Sequence, residues 1–248
     1  MDFYNGQALL DICEKEQVKI SVAMKEREVT MGTLTNEEVD KKLEKVLEIM
    51  HNSSHRPIEK PGKSIGGLIG GEAKLIHDHA ETSQSVAGSI LSKAMAYSMA
   101  VLEVNASMGL IVAAPTAGSS GVLPGILMAL QEEKGFSDEE LYSGLLNASA
   151  VGYILMRNAS VSGAEAGCQA EVGAASAMAA SAIVELMGGT PKQCLSAAVH
   201  AMSNLLGLVC DPIAGLVEAP CQTRNAIGVA NAITSAELAL AGVEHPIP

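Results

Sequence analysis

Residues 165–209, EAGCQAEVGAASAMAASAIVELMGGTPKQCLSAAVHAMSNLLGLV, contain the clearest indication of the architecture. Their first half is dominated by alanine and other good helix formers, and it stops at the Gly188-Gly189 pair, which is typical of a helix C-terminus. The tetrapeptide TPKQ at 190–193 then starts a new helix, with a threonine N-cap, a proline at the first helical position and a glutamine that completes a capping box. The stretch therefore predicts two consecutive helices.

The same signals recur along the rest of the chain. Thr35 with Glu38, and Ser137 with Glu140, form capping boxes that predict two further helices. Helices are also predicted over three alanine-rich stretches, 84–101, 119–133 and 225–241. Residues 52–71 are dense in Ser, Pro and Gly and are predicted to form a loop. Since no strand–helix–strand alternation is visible, we expect an all-α, multi-helix globular fold.

The composition agrees with a helical protein. Hydrophobic residues make up 48% of the 248 residues, which is too many for a disordered chain and suits one large domain or two small ones. Aromatic residues make up only 2%, so small and aliphatic side chains must fill the core. Residues 1–60 hold 21 of the 44 charged side chains. We therefore expect an N-terminal helical segment at 1–60 and a larger catalytic domain at 61–248.

Charge and hydropathy argue against several classes of function. The formal net charge is −12 and no cluster of Lys and Arg offsets it, so binding to nucleic acid is not expected. The N-terminus lacks the basic and apolar regions of a signal peptide. Residues 104–131 carry no charge, but prolines and glycines interrupt them, which is unlike a membrane-spanning helix. We therefore do not expect the protein to associate with a membrane.

Five cysteines in a chain without an export signal favour thiol or metal chemistry over a disulfide scaffold. Cys13 and Cys194 lie in amphipathic helical contexts and are expected in the core. Cys168 lies in the motif SGAEAGCQAEVG, residues 162–173, whereas Cys210 and Cys221 lie at predicted helix ends, where backbone dipoles and N–H donors can stabilise a thiolate. Three thiols cannot complete a four-ligand structural zinc site, but they can hold a [4Fe–4S] cluster with one iron open as a Lewis acid. Their separations of 42 and 11 residues match no compact ligand motif, so three unrelated buried thiols are the alternative.

The segment APTAGSSG, residues 114–121, directly precedes a predicted helix. Its glycines allow backbone N–H groups to converge, and a helix N-terminus favours an anion, so the segment can bind a carboxylate or a phosphate. A tight turn with Ser119 as N-cap explains the pattern equally well. No lysine stands in the Walker position, so the segment is not a P-loop.

Few basic or imidazole groups lie near these motifs. Arg157 and Arg224 adjoin the cysteine-containing stretches, and either can bind a substrate carboxylate in bidentate fashion. An ordinary ion pair with Glu165 or Glu218 is the alternative for each. Among the histidines, His55 in the sequence SSHRP is the best candidate for acid–base chemistry.

Four motifs are long enough to be compared with known families. They are PTAGSSGVLPG at 115–125, NASVSGAEAGCQAEVG at 158–173, LGLVCDPIAGLVE at 206–218 and PCQTRNA at 220–226. Together they resemble the alpha subunit of iron–sulfur-dependent L-serine dehydratase, and the resemblance runs through most of the chain. It implies a lyase that works without pyridoxal phosphate and converts L-serine to pyruvate and ammonia. By the same resemblance, Cys168, Cys210 and Cys221 hold a [4Fe–4S] cluster whose open iron binds the substrate hydroxyl.

The resemblance also implies roles for residues other than the cysteines, in binding the substrate carboxylate, lining the pocket and moving protons. The candidates for catalysis are His55, Ser119, Ser120 and Asn158. The candidates for substrate binding are Thr116, Ser119, Ser120, Ser160, Ser162 and Arg224.

Partners and alternatives follow from the same comparison. Single-chain relatives carry a regulatory domain that is absent here, and in two-chain relatives a beta subunit supplies it, so we expect a beta subunit as partner within an oligomer. An oxidant-sensitive cluster implies a reducing, cytoplasmic location. Alpha-type relatives usually continue beyond GVEHPIP, residues 242–248, so a C-terminal truncation is expected. The competing hypotheses are an L-threonine or L-cysteine lyase on similar cluster chemistry, and a non-catalytic all-α scaffold subunit with inert thiols.

Overall fold

The computed structural model describes residues 2–82 and 84–246, which form eleven α-helices joined by loops. Helices make up 69% of the described residues, which contain no strand, only an isolated bridge between Ile213 and Leu216. The expected all-α fold is therefore confirmed. In chain order the helices are α1 (Gly6–Glu16), α2 (Ile20–Met31), α3 (Asn36–Glu59), α4 (Glu72–Ala80), α5 (Gly88–Ala106), α6 (Val122–Lys134), α7 (Asp138–Asn158), α8 (Gly163–Ala166), α9 (Cys168–Leu186), α10 (Pro191–Asn204) and α11 (Ala219–Leu240). Ile247 and Pro248, at the end where a truncation is expected, lie outside the described residues.

Three helices begin where capping boxes predict them. At the start of α3, the Thr35 hydroxyl accepts from the amide of Glu38 at 3.2 Å, and the Glu38 carboxylate accepts from the amide of Thr35 at 2.8 Å. The same reciprocal bonds open α7 at Ser137 and α10 at Thr190. Each cap satisfies backbone donors that a helix start leaves unpaired, which is worth about 1 kcal/mol.

Several predicted boundaries differ from the observed ones, and the helix predicted over 225–241 already begins at Ala219. Two others are wrong because tertiary contacts override the local signal. The predicted loop at 52–71 is shorter, since α3 continues to Glu59 with Pro57 inside the helix and buried on its packed face. The predicted helix from 165 is interrupted at Gly167, which has a φ of +77°. A Cβ at Gly167 would lie 3.1 Å from the carbonyl oxygen of Leu208, because the loop between α10 and α11 packs closely against the backbone there. The interruption makes Cys168 the first residue of α9.

The core is built around α9, whose length is almost entirely buried by α6, α7, α10 and α11. Small residues allow close packing, as at the start of α6, where a Cβ on Gly121 would lie 2.2 Å from the carbonyl oxygen of Ser98 on α5. Cys13 and Cys194 are buried in this core, at 2% and 1% exposure, as expected. Among the described helices none combines the length and apolar character needed to cross a bilayer.

Long-range hydrogen bonds gather the N-terminal ends of α6, α9 and α11 at one end of the bundle. Asn225 on α11 accepts from the amide of Gly121 at 3.0 Å and donates to the carbonyl of Gly118 at 2.8 Å. The side chain of Asn225 is fully buried. The 114–121 loop, which leads into α6, is thereby fixed beside the helix that carries Cys221.

Candidate active site

Three separate segments bring Cys168, Cys210 and Cys221 to this end of the bundle. Cys168 begins α9, Cys221 lies in the first turn of α11, and Cys210 lies in the loop between α10 and α11. Backbone bonds hold that loop against α9, since the amide of Gln169 donates to the carbonyl of Leu208 at 2.7 Å. Cys168 and Cys221 are buried, whereas Cys210 is exposed.

The three thiols lie close enough to influence one another's ionisation. Burial, together with the neighbouring Cys168, Glu171 and Cys210, raises the pKa of Cys221 to about 11 against the attraction of Arg224. Burial also raises the pKa of Cys168, while a hydrogen bond from Arg224 opposes the rise. Both buried thiols are therefore protonated at neutral pH in the free protein. A bound metal centre reverses this preference, because coordination deprotonates a thiol.

The donor set matches the chemistry of an iron–sulfur group. Thiolates are the usual ligands of such clusters, and three thiols leave one iron without a protein ligand. Among the described residues, no three His, Cys, Asp or Glu side chains converge tightly enough to hold a single metal ion. A cluster imposes a different requirement, since its cysteines bind separate irons and are spread around its faces. The thiol donors are thus compatible in type and number with a cluster that leaves one iron open.

Arg224 lies inside the cysteine group. Its Nη1 donates to the sulfur of Cys168 at 3.0 Å, and the guanidinium also forms an ion pair with Asp211, beside Cys210. The Arg224 side chain is only 15% exposed, while that of Asp211 is 58% exposed. Arg224 therefore ties the start of α9 to the Cys210 loop.

The 114–121 loop is held by hydrogen bonds that engage most of its polar groups. Ser119 and Ser120 are fully buried, and the hydroxyl of Ser120 donates to the carbonyl of Ala117 at 2.7 Å. The amides of Ser120, Gly121 and Val122 donate to acceptors within the protein. An anion at this loop would therefore have to bind the backbone at 116–119 rather than the first amides of α6.

Glu171 is the main residue that sequence reasoning missed. It lies on α9 one turn after Cys168, and its carboxylate accepts a hydrogen bond from the hydroxyl of Thr116. It therefore joins the 114–121 loop to the cysteine group. The available signal was its spacing of three residues from Cys168, which places both side chains on one face of a helix.

The segment that contains Asn158, Ser160 and Ser162 leads into α8, whose first residue, Gly163, lies beside the carboxylate of Glu171. Asn158 donates to the carbonyl of Tyr4 at 2.7 Å, and Ser160 donates to Glu165 at 2.5 Å. Both are exposed, and Ser162 is the N-cap residue of the short helix α8. The nearby Arg157 lies over the ring of Tyr4, at 4.7 Å from its centre, and thus packs on the N-terminal residues.

The structure does not bring His55 to the other candidates. Its Nε2 lies 3.1 Å from Glu132, near the C-terminal end of α6, and its ring stacks on His51 at 4.1 Å. The 114–121 loop lies at the opposite end of α6, roughly 15 Å away at 1.5 Å per helical residue. An acid–base role for His55 thus stays a prediction from sequence, without support from proximity.

Comparison with known proteins identifies the family to which the chain is related. The family model described as serine dehydratase alpha chain matches residues 15–248. The chain is 47% identical over 243 residues to the L-serine dehydratase alpha chain of Peptoniphilus asaccharolyticus, covering 98% of this chain and 83% of that protein. It is 43% identical to the probable L-serine dehydratase alpha chain of Bacillus subtilis, covering 99% and 82%. The L-serine dehydratase TdcG of Escherichia coli is 33% identical and is covered over 55% of its length. The chain therefore belongs to the serine dehydratase alpha chain family.

Proposed function

We propose that this chain is the catalytic alpha chain of an L-serine dehydratase and deaminates L-serine to pyruvate and ammonia. Family membership supports the reaction, since relatives named L-serine dehydratase align with nearly the whole chain. One structural observation supports particular residues as the site. The three cysteines and the 114–121 loop lie together at the N-terminal ends of α6, α9 and α11.

We further propose that Cys168, Cys210 and Cys221 hold a [4Fe–4S] cluster and that no pyridoxal phosphate is needed. Thiolates are the soft ligands that such clusters take. The N-terminal ends of α9 and α11, together with Arg224, place positive charge beside the sulfur atoms. When bound, the cluster would supply an open iron that acts as a Lewis acid toward the serine hydroxyl.

The residues of the chain would bind and orient the substrate. Carboxylate binding is proposed for the backbone N–H groups of Thr116 and Ser119, because their hydroxyls are engaged within the protein. Ser120 would support the loop instead, since its amide and its hydroxyl both donate to the carbonyl of Ala117. Burial of this loop excludes water from one side of the site. Asn158, Ser160 and Ser162 are proposed to line the opposite wall.

The alpha chain designation of the family supports a second subunit as partner. We propose that a beta subunit completes the enzyme, that the assembly is oligomeric, and that it works in the cytoplasm, where a reducing environment protects an exposed iron. L-Threonine and L-cysteine are the competing substrates. A methyl group changes binding in a pocket by only about 1–3 kcal/mol, so the preference must be measured.

The test is iron and acid-labile sulfide per chain after anaerobic reconstitution, followed by serine-dependent pyruvate release with and without a beta subunit. We expect about four of each per chain, lost in Cys221→Ala and retained in Cys13→Ala, a buried cysteine far along the core as the matched control. Steady-state rates with serine, threonine and cysteine assign the substrate.

Two outcomes would contradict the proposal. Full activity of Cys221→Ala would remove the ligand assignment. Folded protein that binds no iron and releases no pyruvate, even with its partner subunit, would favour the scaffold hypothesis.

A further inference from the structure

The carboxylate of Glu171 lies beside two segments of the candidate site, the 114–121 loop and the start of α8. Oε1 accepts the hydrogen bond from Thr116. A Cβ built on Gly118 would lie 2.6 Å from Oε1, and one built on Gly163 would lie 2.5 Å from Oε2. The carboxylate therefore occupies space beside two glycines that any side chain would need. Both the 114–121 loop and the turn into α8 are shaped around it.

The hydrogen-bond direction in the loop is also set by Glu171. The hydroxyl oxygens of Thr116 and Ser119 lie 3.0 Å apart. Each hydroxyl has one hydrogen, and that of Thr116 is donated to Glu171, so Ser119 must be the donor to Thr116. Both hydroxyls thus point inward toward the carboxylate, and a substrate carboxylate would meet the loop's backbone N–H groups instead.

We propose that Glu171 is a positioning residue, which fixes the 114–121 loop against the helix of Cys168 and thereby sets the affinity for the substrate carboxylate. The structural half of this inference is that Glu171 fixes the loop, and it concerns the chain alone. The affinity half is that Glu171 thereby sets the affinity for the substrate carboxylate, and it rests on the proposed function. A hydrogen bond to a carboxylate is about twice as strong as one to a neutral amide, so Glu171→Gln should weaken the contact with Thr116.

The structural half is tested by amide hydrogen exchange on the chain without cofactor. Glu171→Gln and Thr116→Val should each speed exchange at Ser120, Gly121 and Val122 by about tenfold. The amides of Ser120 and Val122 are protected by bonds within the loop, and that of Gly121 by its bond to Asn225, so all three depend on the position of the loop. Glu237→Gln, at an exposed position on α11, is the charge-matched control and should leave the loop unchanged. Unchanged exchange in both test variants would overturn the anchoring.

The space filled by the carboxylate gives an independent test. Gly163→Ala should displace the Glu171 side chain and speed loop exchange in the same way. Gly173→Ala is the matched control, because a Cβ there meets nothing within 4 Å and the residue lies on the same helix as Glu171. Equal exchange in the two alanine variants would contradict the proposal.

The affinity half is tested on the reconstituted enzyme with its partner subunit. Glu171→Gln and Thr116→Val should each raise the KM for serine about tenfold with unchanged iron content, and the double variant should be no worse than either single one. Additive effects, or a loss confined to kcat, would overturn positioning through one hydrogen bond. If wild-type protein itself binds no iron and forms no pyruvate, the proposed function fails, while the exchange result still decides the anchoring.

Discussion

Arg224 and Cys168 are joined by a hydrogen bond of 3.0 Å, although they are 56 residues apart in the sequence. The same guanidinium pairs with Asp211 on the loop that carries Cys210. One side chain therefore connects the segments of two candidate ligands. This geometry changes the role expected for Arg224, which the sequence suggests as a carboxylate-binding residue.

Replacing Arg224 with Lys is expected to lower iron content per chain several-fold, with little change in the serine KM of the loaded fraction. A lysine ammonium is a compact point charge and cannot span Cys168 and Asp211 as the planar guanidinium does. Iron analysis and steady-state kinetics on the same preparation separate the two roles. If Arg224 binds the substrate instead, the KM should rise about tenfold or more while iron content stays at the wild-type level.

The parts of the site that sequence could predict are those that identify themselves by residue type. Cys210 and Cys221 near predicted helix ends and a glycine-rich segment before a helix are visible without a structure, whereas the break that makes Cys168 the first residue of α9 is not. Glu171 and Asn225 are not, because their roles depend on partners 55 and 107 residues away, Thr116 and the carbonyl of Gly118. Such pairings are set by helix packing, and an ordinary acid or amide within a helix gives no local sign of them.

Among the residues that hold the 114–121 loop in place, Asn225 is expected to tolerate a negative charge least. Its amide group donates to the carbonyls of Gly118 and Cys221, and its oxygen accepts from Gly121, all in a fully buried position. Asn225→Asp would place a carboxylate against two carbonyl oxygens and should cost about 3 kcal/mol in the free energy of unfolding. Urea denaturation measures the loss. Asn52→Asp, at an exposed site within α3, should change the free energy of unfolding by less than about 0.5 kcal/mol, and an equal effect of the two substitutions would contradict the role of Asn225 in holding the loop.

The fold shows a similar division between local and tertiary information. Capping boxes located three helix starts because the bonds they make lie within four residues. The continuation of α3 through Pro57 was missed, because burial of its apolar face compensates for the lost backbone bond. Helix propensity determines the secondary structure of exposed segments, whereas packing determines that of buried segments.

Close approach of α5 and α6 should make Gly121 intolerant of any side chain. A Cβ there would lie 2.2 Å from a backbone carbonyl of Ser98 and 2.9 Å from the side chain of Leu102, so the helices would have to separate. Gly121→Ala should therefore destabilise the protein by about 1–3 kcal/mol. In contrast, Gly173→Ala has open space and should stabilise α9 by about 0.5–1 kcal/mol. Thermal or urea unfolding of both variants checks the pair, and destabilisation of similar size would show that helix geometry rather than interhelical space is limiting.

Acid sensitivity should reside partly in the Glu132 carboxylate, far from the candidate site. Burial raises its pKa, but hydrogen bonds from Lys93, Tyr97 and His55 outweigh burial and lower it to about 2. The stabilisation is thus complete above the ordinary pKa of a glutamate and is lost as the pH falls from about 4.5 toward 2.

Glu132→Gln should therefore reduce the free energy of unfolding at pH 7 by about 1–2 kcal/mol, since solvent screens a side chain that is 34% exposed. The difference from wild type should shrink as the pH falls below 4.5, because the native carboxyl is then protonated as well. Tyr97→Phe, which removes one donor at 2.6 Å, should give a smaller difference with the same pH dependence. Urea titrations at pH 7, 5 and 3 measure both. If Glu132→Gln lowers the free energy of unfolding by the same amount at all three pH values, packing of the side chain, and not the charge of the carboxylate, stabilises the contact of α3, α5 and α6.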